Sequence, residues 1–140
     1  MLTLSQENAN NKKLAELDAI ALPTARLIVA ELAAAGFDAI ITWAFRSDTV
    51  QGKIVKGTHA AAGWSFHGFR LALDFGILVG GKYVTDGRHP GYLKMGEIGK
   101  KHGWTWGGNW DHIDPDHIEY HPGENPHEAI RRVRKENGYA

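Results

Sequence analysis

The chain has 140 residues, 43% hydrophobic and 23% charged, with sixteen basic side chains balancing sixteen acidic ones. That composition suits one compact domain with a single core and gives no net attraction to nucleic acid or to an anionic membrane. There is no cysteine, so disulfides and thiolate metal sites are excluded, and any metal must be held by His, Asp or Glu.

The start, MLTLSQENANNKK, lacks a cationic stretch followed by an apolar one, so no cleavable signal is expected and the chain is placed in the cytoplasm. SQENANNKKLAEL predicts a first short helix, with Ser5 as N-cap and Leu14 and Leu17 as its apolar contacts. PTARLIVAELAAAG predicts a second, opened by Pro23 in the first helical position and stopped at Gly36. Pro23, Arg26 and Glu31 interrupt this apolar stretch, which excludes a membrane span. FDAIITWAF alternates, with Phe37, Ala39, Ile41, Trp43 and Phe45 on one face, and predicts a strand. Ser47 or Asp48 is expected to cap a short helix, TVQGKIVK, with Gln51 in capping-box register to Asp48, before the loop KGTHAAAGWS.

RLALDFGIL and KYVT, joined through VGG, predict a β-hairpin with a Gly-Gly turn. GYLKMGEIGKKHG fits a helix ended by Gly103, WTWGGNWDHIDPD reads as an aromatic loop, and HIEY as a short strand. Asn125 then caps a closing helix with Pro126 at its first position and Glu128 at its third. Helices early, strands in the centre and a helix at the end predict an α+β domain, a central antiparallel sheet with flanking helices.

Two segments carry chemistry. In SFHGFRLALDF, a strand over RLALDFGIL turns Leu71, Leu73 and Phe75 one way and Ala72, Asp74 and Gly76 the other, so Asp74 has small neighbours and room for an approaching group. A half-buried carboxylate is costly unless it is paired or metal-bound, and His67 just before the strand is placed to fold back on it. In WDHIDPDHIEY, His117 and Glu119 share one strand face, and Asp114 precedes His117 by three residues. Two imidazoles and one carboxylate on a tetrahedral zinc leave a fourth position for water; the ion acidifies that water and polarises a carbonyl, and a nearby carboxylate moves the proton.

SFHGFRLALDF resembles the Ser-x-His-x-x-Gly-x-Ala-x-Asp motif of the VanY-type zinc peptidases, and GGNWDHIDPDHIE is similar to that family's later Gly-Gly-x-Trp…Asp-x-x-His-[Phe/Ile]-Glu block. FRSDTVQ resembles its Phe/Tyr-Arg-Ser…Gln segment, and the blocks stand in family order over roughly residues 40 to 120. The resemblance implies a small hedgehog/DD-peptidase-like domain over residues 1–140 with a zinc site at the sheet edge. It implies one Zn2+ per chain, held by His67, Asp74 and His117, with Asp114 as general base and Arg46 steadying the substrate carbonyl or oxyanion. Ser65, Gln51, Glu119 and Trp110 would be substrate-contacting or supporting groups. Asp111, His112 and Asp116 crowd the base position, so Asp114 rests on its three-residue offset, with Asp111, Asp116 and Glu119 as alternatives.

One departure is Arg70, which stands where the motif has glycine and is expected in the cleft as an extra anion contact. His59, His89, His102, His121 and His127 fit no ligand spacing and read as surface or loop residues. Trp104 reads as core, while Trp106 and Trp110 are divided between core and cleft wall. RRVRKE reads as a solvated helix face. The activity implied is cleavage of bacterial peptidoglycan stem peptides by a monomer, foremost an L-alanyl-D-glutamate endopeptidase of phage endolysin type that waits in the cytoplasm until a holin opens the membrane. D-alanyl-D-alanine carboxypeptidase, a non-catalytic zinc module of the same fold and a virion-associated wall-opening subunit are the other readings. No separate wall-binding domain and no stable membrane association are expected.

Overall fold

In this computed structural model, residues 1–53 and 60–139 are described. Helix α1 (Leu4–Leu14) begins at Thr3, not at Ser5: the Thr3 side chain accepts from Gln6 N while the Gln6 side chain accepts from Thr3 N. Thr3-x-x-Gln6 is a reciprocal capping box, and the shorter Asn8 three residues after Ser5 offers no equivalent. Leu14 and Leu17 are buried as expected. Helix α2 (Leu22–Ala34) places Pro23 one position further in than predicted and ends at Gly36, whose φ of 90° suits the residue after a helix.

Strand β1 (Asp38–Trp43) is followed by α3 (Asp48–Lys53), capped by Ser47, whose Oγ accepts from Val50 N. Among the described residues the Gln51 side chain makes no capping contact with Asp48; it serves the site described below. The predicted end of that helix and the first four residues of the following loop, His59 included, lie outside the described residues. Then come β2 (Ala72–Val79), β3 (Lys82–Tyr83), α4 (Pro90–Lys101), β4 (Trp104–Trp106), β5 (His117–Tyr120) and α5 (Pro126–Glu136). The β2–β3 hairpin turns on Gly80 and Gly81, both with positive φ, as a two-residue turn of this hand demands. Asn125 caps α5 by accepting from Glu128 N.

All strand pairs are antiparallel, in the order β1-β2-β5-β4 with β3 on β2. Strand β4, read from sequence as loop, is an edge strand with both tryptophans buried and Thr105 between them on the opposite face. Ile41, Leu73, Phe75, Ile77, Ile118, Trp104 and Trp106 join Ile28 and Leu32 of α2 and Met95 and Ile98 of α4 in one core. The opposite face, with Thr42, Asp74, Thr105, His117 and Glu119, lines a cleft.

Three expectations change. The β1–β2 register shifts between Ile41 and Trp43, a bulge that breaks the predicted alternation. It turns Trp43 into the cleft wall and buries Ala44 and Arg46 instead. Gly76 does not make room beside Asp74, because the Tyr83 ring occupies its face and a Cβ there would lie 2.3 Å from the ring. Arg70 does not reach the cleft. Its backbone is left-handed, φ 63°, and its guanidinium stacks on Phe45 at 4.0 Å and donates to Glu16 O at 2.9 Å. Those contacts explain how a side chain is kept where the motif's glycine would adopt this conformation without strain.

Candidate metal centre

Three stretches of chain bring His67, Asp74 and His117 together. A single 3₁₀ turn, Phe66–Phe69, presents His67; the Ser65 side chain starts that turn by accepting from His67 N at 3.2 Å. Asp74 and His117 are direct cross-strand partners in β2 and β5. Asp74 Oδ1 lies 3.2 Å from His67 Nε2 and 2.9 Å from His117 Nδ1. One ligand atom from each of the three residues lies within 4.8 Å of the others. Both histidines are buried, and Asp74 is 14% exposed.

The far side of each ring decides what the near side offers. His67 Nδ1 is 2.8 Å from the Ala44 carbonyl, which can only accept, so that nitrogen carries the proton and Nε2 presents a lone pair. Nε2 is buried and makes no hydrogen bond among the described residues. His117 Nε2 is 2.7 Å from Glu119 Oε1, so in the neutral ring Nδ1 also turns a lone pair on Asp74. Two lone pairs and a carboxylate oxygen facing one another repel unless protons or a cation stand between them. This donor set fits a divalent ion, and second partners on both histidines fix the ring orientations as metal sites require. Electrostatics agree. Burial works to raise Asp74, but the two imidazoles outweigh it and hold the carboxyl far below its ordinary value. Burial works to lower His117, but hydrogen bonds to Asp74 and Glu119 hold it well above 6.5.

Arg46 leans over this cluster. Its guanidinium donates to Asp74 Oδ2 at 3.3 Å and to Gln51 Oε1 at 3.1 Å, and it stacks on Trp43 at 4.5 Å. Gln51 in turn donates to Ala60 O. Arg46 is placed by the bulge in β1, Gln51 by the first turns of α3.

Asp114 stands on the loop before β5, where three backbone anchors hold the chain. Asp114 N donates to Gly107 O at 2.9 Å, Trp106 Nε1 to Pro115 O at 2.7 Å and Phe75 N to Asp116 O at 2.9 Å. A Cβ on Gly107 would lie 2.5 Å from Asp114 O, so glycine is needed for this approach. Burial, a hydrogen bond with Asp114 and the charge of Asp74 push Asp116 up to about 8. This favours the acid form of Asp116, whose carboxyl is hydrogen-bonded to Asp114. Asp111 and His112 are exposed on the rim.

Glu119 is 3% exposed with both oxygens engaged, Oε1 by His117 and Oε2 by His121 Nε2 at 2.5 Å. His121 lies just past β5, as a loop residue, but the expectation of a surface position is overturned: it is 1% exposed. Positions 117, 119 and 121 repeat at the strand period, a signal that would have placed it on the same face as His117. Two other histidines also have partners: His89 caps α4, and His102 pairs with Glu31. His127 is exposed on the cleft. The cleft holds about 1320 Å³, large enough for a peptide. Trp110 forms one wall, 5.4 Å from the His117 ring, whereas Trp104 and Trp106 belong to the core.

A family model for D-alanyl-D-alanine carboxypeptidase of the peptidase M15 group matches residues 58–120, a span with all three clustered side chains. The peptidoglycan L-alanyl-D-glutamate endopeptidase CwlK of Bacillus subtilis (strain 168) is 34% identical, covering 76% of this chain and 75% of that protein. Among solved structures, the Serratia marcescens L-Ala D-Glu endopeptidase ChiX aligns with a TM-score of 0.67 at 16% identity, over 81% of this chain and 86% of that one. The LD-carboxypeptidase LdcB aligns at 0.63 and 15% identity, over 88% of this chain and 65% of that one. These two likenesses are of fold.

Proposed function

The chain belongs to the peptidase M15 family, and from that premise we propose that it is a zinc-dependent peptidoglycan peptidase hydrolysing the L-alanyl-D-glutamate bond of the stem peptide. The observation that carries the reading is the convergence of His67 Nε2, Asp74 Oδ1 and His117 Nδ1. Two imidazoles and one carboxylate suit zinc, with a further position open to reactants. A bound zinc supplies Lewis acidity to the scissile carbonyl and to the attacking water.

The remaining work falls to side chains. Asp114 takes the proton from water and returns it to the leaving amine. Asp116, raised by burial and its carboxylate neighbours, holds Asp114 in place through a hydrogen bond. Glu119 is unsuited to proton transfer because both its oxygens are taken and it is buried. Arg46, fixed by Asp74, Gln51 and Trp43, offers its guanidinium to the developing oxyanion. Trp110 and Trp43 confine the peptide.

The test is digestion of purified peptidoglycan by zinc-loaded protein. A new N-terminal D-glutamate is expected; free D-alanine would instead favour a D-alanyl-D-alanine carboxypeptidase, the activity by which the matching family model is described. Asp114→Ala should keep its zinc and lose about 10²–10⁴-fold in rate, and an unchanged rate would remove Asp114 from the mechanism.

A further inference from the structure

Behind the candidate metal cluster lies a buried chain of groups that the proposed reaction does not use. His117 Nε2 meets Glu119 Oε1 at 2.7 Å, Glu119 Oε2 meets His121 Nε2 at 2.5 Å, and His121 Nδ1 meets the Glu124 carbonyl at 3.0 Å. Both ring nitrogens of His121 thus face oxygens that accept, and a neutral imidazole has only one N–H to give. The Glu124 carboxylate is taken by Arg132, leaving only its carbonyl for His121. The Phe66 ring, 4.8 Å away, covers the imidazole and offers no charge. Glu119 is the ionised group in hydrogen-bond contact with His121, while the Glu124 carboxylate, held by Arg132, acts on the ring only through its charge. A carboxylate this deeply buried needs a compensating charge at its free oxygen.

We propose that His121 is a positioning residue of the metal centre: as a buried imidazolium it holds the Glu119 carboxylate so that Oε1 accepts from His117 Nε2–H, which keeps His117 Nδ1 turned to the ion. The inference rests on the reading that His67, Asp74 and His117 hold a metal. Hydrogen bonding to Glu119 raises the His121 ring above its ordinary value although burial opposes it, in keeping with this charge. Without the imidazolium, Glu119 would have to take up a proton or seek water, and either change loosens its grip on His117. The charge also compensates Glu119, so that the carboxylate does not offset the electrophilicity that Asp74 alone would leave to the ion.

The experiment measures zinc affinity by competition with a chromophoric chelator and the protonation of the His121 ring nitrogens by NMR of the zinc-loaded protein. His121→Leu should weaken zinc binding about 10–100-fold, the usual cost of losing a group that orients a metal ligand. His121→Gln, which keeps one donor towards Glu119, should fall between. In the unsubstituted protein both ring nitrogens should carry protons at about pH 7. A folded His121→Leu with undiminished affinity, or a singly protonated ring, would overturn the proposal. If His121→Leu does not fold, His121→Gln and the ring spectrum decide alone. His117→Ala keeps the two readings apart: zinc lost there but retained in the folded His121 variants sinks this inference only, whereas zinc retained in His117→Ala sinks the metal reading beneath it.

Discussion

Replacing Arg46 by methionine separates what this side chain does for the fold from what it does for the reaction. Methionine fills similar space against Trp43 but brings no donor, so Asp74 Oδ2 and Gln51 Oε1 lose contacts of 3.3 and 3.1 Å. Removing one partner of a buried ion pair costs about 3–5 kcal/mol. About 1 kcal/mol returns because Arg46 Nε, buried without a hydrogen-bond partner among the described residues, goes too. The metal-free variant should therefore be less stable by about 2–4 kcal/mol in urea unfolding. With zinc bound, the ion compensates Asp74, and the loss should shrink towards that of one neutral hydrogen bond, about 1 kcal/mol. In hydrolysis of a stem peptide, kcat should fall about 10²–10³-fold with a much smaller change in KM, because the interaction is with charge that develops only in the transition state. A folded, zinc-loaded Arg46→Met with near-normal kcat would refute the oxyanion role. Equal losses of stability with and without zinc would refute the electrostatic account.

Zinc affinity should fall on acidification. Although burial opposes it, hydrogen bonds to Asp74 and Glu119 raise His117, so its proton stabilises the metal-free fold fully below about 6.5 and that contribution fades as pH rises through the raised value. Zinc must displace the proton, so competition titrations should show binding weakening about tenfold per pH unit for each proton released, and a flat profile from pH 6 to 8 would exclude His117 as a ligand. Chelation should leave the protein folded, with zinc at a hundredfold excess over its Kd adding about 2.7 kcal/mol; loss of near-UV circular dichroism on chelation would contradict this. Asn10→Ala should cost about 2–4 kcal/mol in chemical unfolding, because Asn10 donates to Ala39 O at 2.9 Å and accepts from Ile41 N at 2.8 Å along the free edge of β1. A loss under about 1 kcal/mol would mean that water or backbone movement satisfies those groups instead.

Local signals located most of the elements. Helix stops at Gly36 and Gly103, the Gly80–Gly81 turn and the Asn125 cap are chemical punctuation that a sequence displays directly. Strand β4 stayed hidden because three residues hold too little periodicity, and its two tryptophans become recognisable as a core row only beside Ile118 and Tyr120 of β5. The β1 bulge was invisible because nothing in FDAIITWAF marks it; pairing with β2 imposes it. Arg70 was misplaced because its motif position says what backbone is needed, not where a side chain on that backbone will go. The clustering of His67, Asp74 and His117 was legible from motif spacing, whereas the Glu119–His121 pair shows in sequence only through the strand period.

The clustered donors are set by backbone, not by one another. The Ala44 carbonyl at the end of β1 fixes His67, and the β2–β5 register fixes Asp74 opposite His117. A core on the other face of the same strands holds all three in place, so the cluster is assembled before any ion arrives. In that state a proton on the His117 ring relieves the repulsion from the Asp74 carboxylate, and a divalent ion must displace it. Arg46, Glu119 and His121 are already hydrogen-bonded around the cluster. Binding in such a site costs little reorganisation, and the geometry offered to a peptide is the one the fold already maintains.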